Sequence, residues 1–182
     1  VELRSTLEEA IETREALEAL RSERHLDLLD ALVDAAARPR LTEAAATPAR
    51  DALPPLFDKA WRKLAKEVSA LTLDGPSDDW HETRITAKRA RYAAEALVPV
   101  FGTPAKNLAT SLSTVTEQLG EHQDAFIAQE TCRELAEHFD GPTGFALGLL
   151  HAFEVECELI ARIRMKEQWP LVKDQRKQTR LA

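Results

Sequence analysis

One segment of the sequence combines a histidine with basic residues at helical spacing. The positions follow one another in steps of three, four and three residues: His81, Arg84, Lys88 and Arg91. At about 100° per residue, these side chains fall within an arc of about 80° on one helix face. Guanidinium, ammonium and imidazole groups gathered on one face are hydrogen-bond donors suited to phosphate oxygens. The predicted chemistry is therefore anion binding.

Two neighbouring residues extend the predicted site, because Arg89 and Tyr92 lie within about 80° of His81 on the same helix projection. We also place His81 in the first turn of this helix, where free backbone N–H groups and the helix dipole favour an anion. The opposite side carries small residues that would let another helix approach closely: Ala87, Ala90, Ala93 and Ala94. A basic face with internal Arg–Glu pairs remains the plainer alternative.

A second basic face precedes this segment and contains no carboxylate: Lys59, Arg62, Lys63 and Lys66. These residues span about 100° of arc opposite an apolar stripe that begins at Phe57. Because like charges on a helix repel, such a cluster in a chain of net charge −7 needs a polyanion or an acidic neighbouring helix. A third stripe consists of Arg14, Arg21 and His25, where nearby glutamates explain the charges equally well.

Helices must position these residues, since long Ala/Leu/Glu/Arg runs accompany only 6 Gly and 5% aromatic residues. The sequence predicts an all-α bundle of about five long helices, at about residues 3–37, 57–71, 77–98, 103–139 and 145–166. Ser77 or Asp78 is expected to cap the third helix. The fourth has an apolar seam of Leu108, Leu112, Val115, Leu119 and Phe126. The fifth is expected to turn inward Leu147, Leu150, Phe153, Cys157 and Ile160.

Several functional classes lack their usual signals. The net charge of −7 and the scarcity of aromatic residues near the basic faces, only Trp80 and Tyr92, argue against nucleic acid as a partner. No Gly-rich phosphate loop, hydrolase motif or metal-binding motif is present, so we predict no catalytic residue, no metal and no cofactor. Cys132 and Cys157 read as free thiols of a cytoplasmic protein, and no apolar run is long enough for a membrane.

The pattern HxxRxxxKRxRYxxE at residues 81–95 resembles the signature helix of the CHAD family, the conserved histidine α-helical domain. LGEHQDA at residues 119–125 is similar to that family's LGxxxDA element. The resemblance implies two similar helical bundles around a basic cavity that binds inorganic polyphosphate and can direct proteins to polyphosphate granules. It also implies that His81, Arg84, Lys88 and Arg91 contact phosphate, with Tyr92 beside them and Glu95 orienting an arginine.

The family's first-repeat histidine helix has no counterpart here, since His25 lacks the basic pattern around it. We therefore expect a partial first helical repeat at residues 1–76, a second repeat with the histidine motif at 77–169, and a loose basic tail at 170–182. His122 is expected to be buried on the seam, and Asp124 to pair with a basic residue of the histidine helix.

The favoured function is a non-catalytic module that binds inorganic polyphosphate in a basic groove lined by helices. The alternatives are a histidine phosphotransfer or helical interaction module, and an accessory domain of a triphosphate-processing enzyme. No oligomeric state is predicted.

Overall fold

The computed structural model describes residues 13–179, apart from the side chains of residues 13–15 and of Ala44. Six α-helices and one 3-10 turn make up this part of the chain, which contains no strand. The predicted all-α class is confirmed. The chain divides between Ala46 and Thr47 into two compact units, whereas the sequence suggested a division into repeats at residue 76.

The first unit contains helices α1 (Thr13–Arg21) and α2 (Glu23–Ala37), followed by the 3-10 turn Glu43–Ala46. The prediction of one continuous helix to residue 37 is wrong, because Ser22 is extended and interrupts it. The Ser22 hydroxyl accepts the backbone N–H of His25 at 3.3 Å. This N-cap bond stabilises the start of α2 and explains the break.

The second unit contains α3 (Ala49–Ala70), α4 (Ser77–Phe101), α5 (Thr103–Ala136) and α6 (Gly141–Gln178). Each helix packs against the next one along the chain. The last turns of α6 also meet α3, where the rings of Trp61 and Trp169 stack with centroids 5.3 Å apart. Gly102 alone separates α4 from α5, and its φ of +64° is a conformation that favours glycine.

The predicted bounds of three helices are wrong, because α3, α4 and α6 continue through prolines, which usually end a helix. In α3, Pro54 and Pro55 lie in the second turn, and each removes one backbone donor from the helix. In α6, Trp169 and Val172 are buried beyond the predicted end of the helix. Their burial holds the segment predicted as a loose tail in regular helix as far as Gln178.

The start of α4 also differs from the prediction. Neither Ser77 nor Asp78 caps the helix, since Pro76 occupies the N-cap position and Ser77 is the first helical residue. The Ser77 hydroxyl instead donates to Glu158 on α6. His81 therefore lies beyond the first turn of α4, and the free N–H groups of that turn no longer support the site.

The core is well predicted on α4 and α5. Ala87, Ala90 and Ala94 of α4 are fully buried, as are Leu108, Leu112, Val115 and Leu119 of α5. The inward face of α6 was predicted wrongly, since only Leu147 of the five named residues is buried, and Leu150, Phe153 and Ile160 are exposed. Glu158 and Arg162 are buried on α6 instead, where they neutralise each other.

None of the helices in residues 13–179 combines the length and the apolar character needed to span a bilayer.

Candidate functional site

His81, Arg84, Lys88 and Arg91 form a basic stripe along α4, which we call the α4 stripe. His81 and Arg84 lie along the side of α4 that meets α5. Nδ1–H of His81 donates to the side-chain carbonyl oxygen of Gln123 at 2.5 Å. The guanidinium of Arg84 lies over Gly120, where an added Cβ would be 3.9 Å from both its Nε and its Nη2. A side chain at residue 120 would thus be in van der Waals contact with Arg84. Both residues line a seam between two helices.

The stripe continues along α4 with Lys88 and Arg91, which are partly exposed. Nη1 of Arg91 donates to Glu95 at 3.1 Å, and its guanidinium carbon lies 4.6 Å from the ring centre of Tyr92. These two contacts hold the guanidinium against the helix surface. Arg89 is exposed and lies farther from the seam.

A buried polar network centred on Glu158 and Arg162 of α6 holds the start of α4 in place. The carboxylate of Glu158 accepts hydrogen bonds from Ser77 at 2.6 Å and from Gln129 at 2.7 Å, and it pairs with Arg162. Arg162 also donates to the carbonyl oxygens of Leu73 and Gly75, each at 2.8 Å. Because these bonds join α4, α5, α6 and the turn before α4, the network fixes the position from which the basic stripe begins.

Glu158 keeps its charge despite its burial. Burial acts to raise the pKa of Glu158, but the hydrogen bonds from Ser77 and Gln129 and the charge of Arg162 outweigh it. The pKa is therefore lowered from its ordinary value.

His122 is buried on the seam, as predicted, with 1% of its surface exposed. Its ring stacks on Trp80 with centroids 5.4 Å apart, and its Nε2 lies 3.1 Å from the carboxylate of Glu158. Burial lowers the pKa of His122 to about 4, and the attraction of Glu158 offsets this only in part. The predicted pairing of Asp124 is wrong, since Asp124 is exposed and has no ion pair with any described residue.

The second basic face lies on the outer side of α3, where its four cations are exposed. It is less uniform than predicted, because Lys63 pairs with Glu67 at 3.6 Å. A pocket of about 340 Å³ between α3 and α4 is lined by Glu67, Asp79 and Glu82, together with Ala70, Leu71 and Thr83. These carboxylates separate the α3 cations from the α4 stripe, so the two faces do not form one continuous basic surface there.

The third predicted stripe belongs to the first unit. Arg21 is exposed at the end of α1, and the side chain of Arg14 lies outside the described residues. No group of three or more His, Cys, Asp or Glu side chains within residues 13–179 is arranged to hold a metal ion. Cys132 and Cys157 are free and partly exposed.

Gln123 is a contact residue of His81 that charge and spacing did not predict. One signal could have found it, because His81 and Gln123 are equally distant in sequence from Gly102. Arg84 and Gly120 share this property. When a single residue joins two antiparallel helices, residues equidistant from the turn lie level with each other. The same relation places Lys88 level with Thr116.

The family model of the CHAD domain matches residues 2–133, a range that contains the whole α4 stripe, Gly120 and Gln123. The chain belongs to the CHAD domain family. CHAD domains as a class are non-catalytic and are linked to the binding of polyphosphate and triphosphate. The family assignment drawn from residues 81–95 and 119–125 is thereby confirmed.

Two relatives of this CHAD domain come from Mycobacterium tuberculosis. They are the uncharacterized protein MT2285 of strain CDC 1551 / Oshkosh and the uncharacterized protein Rv2226 of strain ATCC 25618 / H37Rv. Each is 33% identical to the chain over 160 residues, which cover 83% of this chain and 29% of the relative. The chain thus spans less than a third of the length of these relatives. No solved structure matches it significantly.

Proposed function

We propose that this CHAD domain binds inorganic polyphosphate along the seam between α4 and α5. Phosphate oxygens would accept hydrogen bonds from His81, Arg84, Lys88 and Arg91, which follow one another over about 15 Å of helix. Arg89 and Tyr92 would border the bound chain. Binding of this kind would recruit the polypeptide that carries the domain to cytoplasmic polyphosphate granules.

The observation that carries the proposal is the unpaired charge of Arg84 and Lys88. Neither has an ion-pair partner among residues 13–179, although the chain has 31 acidic and only 24 basic residues. The Nε–H of Arg84 is buried without a hydrogen-bond partner in the same part of the chain. Cationic groups that lack a carboxylate partner, although acidic residues are in excess, are free to pair with an external anion.

The surroundings of the stripe favour a polyanion without bases. Trp80, one of the two aromatic residues near the stripe, is fully buried and cannot stack on a base. Tyr92 is exposed, and Arg91 lies over one face of its ring. Proteins that bind single-stranded nucleic acids use exposed aromatic rings for several successive bases. Polyphosphate needs only the cationic donors.

A direct test compares long-chain polyphosphate with single-stranded RNA of equal charge at two salt concentrations. The four-residue stripe predicts tighter binding of polyphosphate, with a log–log salt slope of about −3 at roughly −0.7 per contact. Arg84→Glu should weaken binding at least about tenfold, through the loss of a charge-assisted bond and the added repulsion. Lys106→Glu makes the same charge change near the start of α5, far from Gly120, and should leave affinity within about twofold.

Circular dichroism should show both variants to be as helical as the wild type, because Arg84 and Lys106 lie outside the apolar core. Equal weakening by the two substitutions would overturn the proposal, since binding would then depend on net charge alone. Equal affinity for RNA and polyphosphate would also count against it.

We further propose that the α3 cations contact polyphosphate only when the polyphosphate is long enough to pass around the carboxylate-lined pocket between α3 and α4. Lys59→Glu combined with Lys66→Glu should weaken the binding of long-chain polyphosphate and leave tripolyphosphate unaffected. Equal effects on both ligands would contradict this arrangement, because a short ligand on the α4 stripe would then sense α3 directly.

A further inference from the structure

The bond between His81 and Gln123 determines which ring nitrogen carries the proton. The side-chain oxygen of Gln123 faces Nδ1 in this structure, and a carbonyl oxygen only accepts hydrogen bonds, so Nδ1 of His81 is the donor in this arrangement. In a neutral imidazole the other nitrogen, Nε2, then holds a lone pair and no hydrogen. Phosphate oxygens are also acceptors. The neutral ring in this position therefore has nothing to donate to a bound anion.

We propose that Gln123 is a positioning residue that makes anion binding at His81 depend on the uptake of one proton. With Nδ1 committed to Gln123, His81 contacts the anion only when Nε2 is also protonated and the ring is a cation. This inference rests on the proposed function, because it concerns the same anion site. It adds a residue to that site and a dependence of its affinity on pH.

Both residues of the pair are held in place from the interior. Trp80 precedes His81 on α4, and His122 precedes Gln123 on α5. The rings of Trp80 and His122 stack in the core, while His81 and Gln123 bond above them. Two consecutive residues of one helix thus contact two consecutive residues of the other. The packing of their neighbours therefore places Gln123 beside the imidazole, where their own bond joins them.

Charged and titratable groups on three helices lie near the pair formed by His81 and Gln123. On α4, Asp78 and Arg84 lie three residues before and after it, and on α5 His122 and Asp124 flank Gln123. On α6, Glu158 and Arg162 lie behind His122. These groups include both signs of charge. The proposal concerns how binding changes when Gln123 is replaced.

The test measures the affinity of the whole chain for long-chain polyphosphate at about pH 6 and about pH 8, on either side of the usual histidine range. The internal phosphates of this ligand are strong acids whose charge does not change between these values. Wild-type affinity should fall about tenfold from the lower to the higher pH, as one charge-assisted hydrogen bond is lost. Calorimetry in buffers of different ionisation enthalpy should show the uptake of up to one proton on binding.

Two substitutions separate positioning from a merely structural role. Gln123→Leu removes the acceptor, so a neutral His81 can carry its proton on Nε2 and donate to phosphate. The fall in affinity from the lower to the higher pH should be clearly smaller than in the wild type, because the neutral ring then keeps one hydrogen bond to phosphate and loses only its charge. Gln123→Glu supplies a carboxylate that favours the imidazolium, so the fall in affinity should move to higher pH. His81→Gln is the control and should bind more weakly without this pH dependence.

The outcomes distinguish this inference from the proposed function. If the wild type and His81→Gln depend on pH equally, or if Gln123→Leu keeps the wild-type profile, the inference is wrong while polyphosphate binding stands. Absence of polyphosphate binding at both pH values would overturn the proposed function and this inference with it.

Discussion

Acidification should destabilise the second unit through His122. The ring is buried, and its pKa is lowered to about 4, chiefly by that burial. In the unfolded chain the pKa of a histidine is about 6.5. Between the folded and the unfolded pKa, the unfolded state therefore binds more protons than the folded state. The free energy of unfolding must therefore fall as the pH is lowered through this range.

The size of the effect follows from the two pKa values. At about 1.4 kcal/mol per pH unit, full protonation of His122 costs the fold about 3 kcal/mol. Most of this loss, about 2 kcal/mol, should occur between about pH 7.5 and pH 5. Glu158 acts in a different range. The pKa of Glu158 is lowered in the folded state, so its charge stabilises the fold above its unfolded pKa near 4.5. This stabilisation is lost at lower pH.

Urea unfolding followed by tryptophan fluorescence measures this loss, because Trp61, Trp80 and Trp169 all lie in the second unit. His122→Gln keeps a neutral donor near Glu158 but cannot titrate, so most of the change between about pH 7.5 and pH 5 should disappear. His138→Gln removes an exposed histidine and serves as the control, with wild-type pH dependence expected. A His122→Gln variant that retained the full wild-type dependence would refute the reasoning, since another group would then take up the proton.

Two further predictions concern the bonds made by α6. Glu158→Leu leaves the guanidinium of Arg162 buried without its carboxylate and should lower the free energy of unfolding in urea by about 3–5 kcal/mol. The control, Glu156→Leu at an exposed position, should lower it by less than about 1 kcal/mol. Equal losses would show that the buried pair is not formed. Lys166→Met removes two bonds at the end of α3, to the carbonyl oxygens of Val68 at 3.1 Å and Leu71 at 2.6 Å, and should cost about 1–3 kcal/mol. Arg164→Met breaks only an exposed pair and should change stability by less than about 1 kcal/mol, and a Lys166→Met variant as stable as Arg164→Met would contradict this role.

The parts of the fold that the sequence predicted are those where apolar residues occupy a single side of a helix. On α5, Leu108, Leu112, Val115 and Leu119 repeat in steps of four and three, and all of them are buried. On α4 the small residues Ala87, Ala90 and Ala94 mark the packing side for the same reason. In both helices the hydrophobic effect alone chooses the buried face.

The buried face of α6 could not be predicted in this way, because its first half is apolar on nearly every side. The structure buries Glu158 and Arg162 near the middle of the helix and leaves Phe153 and Ile160 exposed. Burying a charge is favourable only when a partner and further hydrogen bonds compensate for lost hydration. The compensating carbonyl groups of Leu73 and Gly75 are far away in the sequence, so helical periodicity cannot reveal them.

The candidate site was predicted in part. Charge and spacing were sufficient to find the α4 stripe, because both are local properties of the sequence. The partners of the stripe on α5 depend on how two helices are aligned, and the amide of Gln123 carries no charge or periodicity of its own. The separation of the α3 cations by Glu67, Asp79 and Glu82 is likewise a property of helix packing.

At the start of α4, a core contact between Trp80 and His122 lies next to a surface contact between His81 and Gln123. This arrangement determines how the site could be transferred to another protein. Copying only the solvent-facing residues His81, Arg84 and Gln123 onto another helical hairpin would leave their alignment undefined. The stacked rings of Trp80 and His122 provide that alignment from beneath. A minimal graft therefore includes both aromatic residues together with the carboxylate of Glu158 beside His122. The smallest transferable unit of this surface extends into the protein interior.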